Sequence, residues 1–125
     1  MALNYNMCGV AFAQSTTTAS PSPVEKTNET ARGAVAYINI SAIDAGVTLT
    51  VSIEAKDPAS SAWVNILTSA ALSAVAMTTL KVCPGLPVSA NVSANDGLPL
   101  NWRIKPIQGG SAGNITYSIG YAYLD

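Results

Sequence analysis

Val47 to Lys56, VTLTVSIEAK, alternates apolar and polar residues without a break. Val47, Leu49, Val51, Ile53 and Ala55 fall on one side; Thr48, Thr50, Ser52, Glu54 and Lys56 fall on the other. Strand side chains alternate faces with period two, so the segment reads as a half-buried antiparallel strand. Asp57-Pro58-Ala59-Ser60-Ser61 follows as a run of turn formers, and Ala62 begins another apolar stretch. A chain written this way is committed to an all-β fold.

The same grammar extends from residue 32 to the C-terminus. Arg32 to Ser41 sets Ala34, Ala36, Ile38 and Ile40 on one face, and Asp44-Ala45-Gly46 turns the chain into the Val47 strand. Further strands are expected at Ala62–Ser69, Thr78–Cys83, Leu98–Ile107 and Asn114–Leu124. In the last of these Ile115, Tyr117, Ile119, Tyr121 and Tyr123 share a face. Pro84-Gly85 and Asn95-Asp96-Gly97 are stops, and Gln108 to Gly113 is expected to be a hairpin loop. Ala70 to Ala76 has helical propensity but is too short and uncapped to hold a helix.

With a candidate strand near residues 5–13, the count is about seven, that of an antiparallel β-sandwich of jelly-roll or Ig-like type. Leu49, Val51, Ile53, Trp102, Ile104 and Ile119 are its expected core. Residues 32–125 form the sandwich in this reading, and residues 1–31 form an N-terminal arm. Residues 14–31, rich in Ser, Thr and Pro, offer little to bury and read as an extended linker. Cys8 and Cys83 sit in apolar runs and are expected as buried free thiols.

Charge is the compositional anomaly. Only 10% of the 125 residues are charged, against 49% hydrophobic, where an ordinary soluble domain carries about 25% charged residues. A surface of Ala, Ser, Thr and Asn suits a protein packed against other subunits. The six basic residues are scattered, with no stripe to neutralise phosphates, so nucleic acid is not an expected partner. No apolar run approaches the roughly 20 residues that cross a bilayer as a helix. Met7 to Ala13 is apolar but lacks a basic flank, so it is expected to be a strand or arm rather than a signal segment.

The sequence contains no histidine, which removes the usual general base and the commonest metal ligand. Its seven acidic residues are dispersed among the arm, the turns and one strand face. The expectation is a protein that is not an enzyme and takes no cofactor or metal. Asn-x-Ser/Thr sequons at Asn28, Asn39, Asn91 and Asn114 are as expected by chance in a chain rich in these residues. Trp63, Trp102, Tyr121 and Tyr123 could form a sugar platform. The preferred reading places both tryptophans in the core and the tyrosines on a sheet or interface surface.

Four segments, KDPASSAW (56–63), KVCPGL (81–86), ANDGLPLNWRI (94–104) and ITYSIGYAYL (115–124), resemble a group of small β-sandwich virion proteins of tailed phages. The resemblance covers roughly residues 32–125. It implies a particle component, most like a capsid cement (decoration) protein on the outer capsid surface, whose partners would be the major capsid protein and copies of itself. A neck, tail or fibre component and a secreted carbohydrate- or surface-binding module are the alternatives. Leu3, Tyr5, Met7, Val10 and Phe12, with Tyr121 and Tyr123, are the candidate partner-binding residues. Residues 1 to about 31 are accordingly expected to reach outside their own domain, by adding a strand to a neighbour's sheet edge or lying in an apolar groove.

Overall fold

A computed structural model describes residues 8–124. Nine strands form two sheets and no helix is present among the described residues. They are β1 (Cys8–Thr17), β2 (Val24–Thr27), β3 (Gly33–Ile43), β4 (Val47–Lys56), β5 (Trp63–Thr68), β6 (Ala76–Val82), β7 (Ser93–Ala94), β8 (Asn101–Gly110) and β9 (Ile115–Leu124). One sheet, sheet A, runs β1-β9-β3-β6-β7; the other, sheet B, runs β2-β8-β4-β5. Apart from the short parallel β6–β7 pair, every pairing is antiparallel. The architecture is the β-sandwich that the alternation implies, with nine strands rather than about seven.

The core forms where the two inner faces meet. Leu49, Val51, Ile53, Trp102 and Ile104 from sheet B and Ile38, Ile40, Leu80 and Ile119 from sheet A are fully or almost fully buried. Successive strands change sheet except at β4–β5, a hairpin in sheet B, and at the parallel β6–β7 pair in sheet A. At that hairpin the Asp57 carboxylate accepts from Ala59 N–H at 3.0 Å and Ser60 Oγ at 2.6 Å. These bonds, the Ser60 hydroxyl foremost, hold its pKa below the ordinary value. At Cys83–Leu86 the Leu86 N–H reaches Cys83 O. Pro84 and a Gly85 with φ of 89° occupy the central positions, as a type II turn requires.

Several expectations are corrected. The Gln108–Gly113 segment is not a hairpin loop. β8 continues to Gly110 and the chain then crosses from sheet B to sheet A, where β9 pairs with β1 and β3. This crossing is tied to the β3–β4 crossing at Asp44–Gly46. Asn114 N–H donates to the Asp44 carboxylate, Asp44 N–H to Asn114 O, and Ser111 N–H to Gly46 O. As expected, Ala70–Ala76 holds no helix: residues 69–72 run on beside β4, with Ser69 N–H bonded to Val51 O and Leu72 N–H to Leu49 O. β4 leaves those backbone groups open, and pairing them outweighs the local helix propensity of an alanine-rich run.

The candidate strand near residues 5–13 is found among the described residues as β1, and what changes is the reach of the arm, whose strands pair within their own domain. Residues 8–17 are an integral strand of sheet A, and residues 24–27 pair with β8 at the edge of sheet B. An edge strand needs to bury only part of one face, so Ser, Thr and Gln are admissible in it. Two register shifts in β1, between Val10 and Phe12 and between Phe12 and Ser15, bring Ala11 and Phe12 both onto the core. Asn28, buried between the arm and the sandwich, fastens the connection. Its side chain donates to Ala31 O at 2.8 Å and Leu98 O at 3.0 Å and accepts from Ala31 N–H at 2.9 Å.

Candidate interaction surface

Strands β1, β3, β6, β7 and β9 of sheet A contain one charged residue between them, Lys81. Sheet B concentrates charge: Glu25 and Lys26 on β2, Glu54 and Lys56 on β4, Arg103 and Lys105 on β8. The two outer faces of the sandwich therefore differ in kind.

On the outer face of sheet B, Glu25, Arg103, Glu54 and Asn65 line up in one row across the strands. Arg103 Nε donates to Glu54 Oε1 at 2.6 Å, with both side chains mostly buried. Its guanidinium also lies 4.3 Å from the Trp63 ring centroid, and Lys56 Nζ lies 5.7 Å from it. Trp63 is thus not a core residue. It is half-buried on the outer face, and cationic side chains cover the ring that a sugar would stack on.

Sheet A presents rows set by its register. Cys8, Ala122, Val35 and Lys81 form one row, in which Val35 is itself buried; Val10, Gly120, Tyr37 and Thr79 form the next; Ser118, Asn39 and Met77 continue the face. Val10 is 65% exposed, Met77 63% and Tyr37 42%. The face is uncharged up to Lys81, with small residues along β9 flanked by larger apolar ones.

Of the residues expected to bind a partner, Val10 stands on this open face. Phe12, Tyr121 and Tyr123 pack against the core of their own domain. Leu3, Tyr5 and Met7 lie outside the described residues. Both tyrosines turn inward because they share the inward phase of β9 with Ile115, Tyr117 and Ile119. With Trp102 they form a mutually edge-on triad, ring centroids 5.6 to 5.8 Å apart, bridging the two sheets. Lys26 Nζ lies 5.0 Å from the Tyr121 centroid. Trp102 Nε1 donates to the Tyr123 hydroxyl at 3.3 Å, which donates in turn to Thr27 O at 3.0 Å. Burial pushes the Tyr123 pKa up, against the bond from Trp102.

Tyr37, Met77 and Gly120 were not singled out by sequence. The signal was nonetheless present: putting Ala34, Ala36, Ile38 and Ile40 inward leaves Tyr37 as an apolar residue on the outward phase of β3. The thiols are free, but Cys8 is exposed and Cys83 half-buried, since Cys8 falls on the outward phase of β1 and Cys83 just past the end of β6. Among the described residues no cluster of three or more His, Cys, Asp or Glu side chains could hold a metal ion, and no helix is long and apolar enough to cross a membrane. In comparisons with known proteins, neither a family model nor a curated protein matches the chain.

Proposed function

We propose that this protein is a non-enzymatic structural component of a tailed-phage particle, a capsid cement protein that binds the outside of the mature shell. The observation that carries the assembly part of this reading is the outer face of sheet A, charged only at Lys81, with Val10, Tyr37 and Met77 exposed upon it. A face with no charge but a marginal lysine gains little from water and is suited to contact with another protein. The phage part rests on the turn and strand segments at 56–63, 81–86, 94–104 and 115–124.

The mechanism is thermodynamic. A ligand that binds one state of a lattice and not the other stabilises it by mass action. Copies that bridge neighbouring capsomers add avidity to that effect. The test is co-sedimentation of purified protein with expanded shells and with unexpanded proheads of one phage. Saturable binding to expanded shells alone is expected, and equal binding to both, or to neither, refutes the reading.

A further inference from the structure

Gly120 stands at the centre of the outer face of sheet A, midway along β9, with Tyr37 directly opposite on β3 and Val10 opposite on β1. Glycine inside a strand loses more backbone freedom on folding than alanine and packs no side chain, so it calls for a reason. The backbone supplies none, since Gly120 is not among the glycines with positive φ. Packing within the chain supplies none either. Among the described residues, a Cβ at this position would find only Gly9 O within 4 Å, at an ordinary 3.5 Å. Neither Tyr37 nor Val10 leans over it. A strand glycine can mark a bulge, and the β1 register shift between Val10 and Phe12 lies beside this one; its other role is to admit the close approach of something else.

We propose that Gly120 is the floor of an isologous interface through which two copies of this chain pack the outer faces of sheet A together. Across a two-fold axis a surface meets itself, so it must carry both a projection and a matching hollow. Here they are direct cross-strand neighbours: Tyr37 projects, and Gly120 beside it is the hollow. An axis passing between the two sets each Tyr37 over the partner copy's Gly120, with Val10 and Met77 closing the margins.

Charge selects the same occupant. This face offers nothing to a charged partner except Lys81 at its β6 side, whereas the other outer face carries Glu25, Glu54, Lys56, Arg103 and Lys105. The neutral complement that the molecule itself supplies is a second copy of the same face. Three strands about 30 Å long and the seven-residue β6, spaced about 4.8 Å apart, give a projected area of roughly 550 Å². Side-chain relief raises that towards the ~800 Å² per partner of a standard interface.

The inference deepens the assembly reading, on which it rests, by naming the surface and the partner. Its test is the molar mass of the full chain by light scattering at about 100 μM, with circular dichroism and thermal melting to verify folding. The wild type should run near twice the 12.8 kDa of one chain. Gly120→Val, which fills the hollow, and Tyr37→Lys, which buries a charge at the contact, should each halve the mass while remaining folded. Thr50→Lys, on the outer face of sheet B, should leave it unchanged. A monomeric wild type overturns the proposal, as does a dimer that survives whichever of the two disrupting variants folds. A dimer lost in both variants, with no binding of wild type to expanded shells, leaves this interface standing and removes the cement reading alone.

Discussion

Removing one hydroxyl from β9 should have opposite effects at two positions six residues apart on the same inward face. Tyr117 is 3% exposed and, among the described residues, its hydroxyl is a buried polar atom with no hydrogen-bond partner. An orphaned buried polar group carries a desolvation cost of about 1–3 kcal/mol, so Tyr117→Phe should stabilise the fold by about 1 kcal/mol. Tyr123 is the reverse case. Its hydroxyl accepts from Trp102 Nε1, and Trp102 is 0% exposed. Tyr123→Phe leaves that indole N–H without a partner and frees Thr27 O from its bond, at a cost of about 1–2 kcal/mol. Urea unfolding followed by tryptophan fluorescence measures both. With a slope near 1.5 kcal/mol/M, the midpoints should move by roughly 0.7 M upward and 0.7–1.3 M downward. The pH dependence provides a second readout. Burial holds the Tyr117 pKa above its ordinary 10.0. A group whose folded pKa exceeds its unfolded one contributes stability that is complete below the unfolded value and is lost as pH rises through the folded one. Stability should therefore fall above pH 10, less steeply in Tyr117→Phe. If Tyr117→Phe destabilises by more than about 0.5 kcal/mol, the hydroxyl is satisfied in solution and the reasoning fails.

Three further outcomes can be measured by the same unfolding experiment. Asn28→Ala removes two side-chain bonds to Ala31 and one to Leu98 O, and should cost about 2 kcal/mol. A loss under about 0.5 kcal/mol would show that the arm is not fastened there. Gly33→Ala would set a Cβ 2.1 Å from Val82 O and 2.8 Å from Cys83 Cα, both backbone atoms. The β3–β6 pair would have to part, so a loss of roughly 2 kcal/mol or more is expected, and a neutral outcome would contradict the close approach of the two strands at that end. Deleting residues 1–13 takes away the half of β1 that covers Ile119 and Tyr121. It should lower the melting temperature by several degrees, whereas unchanged melting would restore the segment to a dispensable arm.

The legible part of the fold was the part with two-sided contrast. In β4 and β9 each inward residue is apolar and most outward ones are Thr, Ser or Glu, so period two marked both the strand and its buried face, as it did for Trp102 and Ile104 on β8. The sequence also marked its turns, because Pro84-Gly85 and Asp57-Pro58 act through their own backbone. Edge strands were harder. β2 is four residues with Glu25 and Lys26 in it, and its stability comes from pairing with β8, a contact that no local pattern encodes. β1 is interrupted by two register shifts, so its apolar residues lose their period just where they meet the core. Trp63 was misplaced for a related reason. Large apolar residues are usually inside, but here Arg103 and Lys56, distant in sequence or on a neighbouring strand, converge on an outward ring.

The contact face poses a separate problem, since nothing about folding dictates what covers the outside of a sandwich. Alternation requires only that inward positions be apolar; outward positions are free to be charged, as Glu54, Lys56, Arg103 and Lys105 are on sheet B. Sheet A has the same freedom, and its strands use it once, at Lys81. A neutral outer face also exposes β1, a ten-residue edge strand with neither charge nor proline, to unwanted pairing with other chains. The two register shifts in β1 protect that edge by disrupting its regular ladder. Such an arrangement follows if the face rather than the edge is the surface meant to be met: the edge is made unsuitable for strand addition, and the sheet beside it is kept free of charge but for Lys81 and hollowed at Gly120.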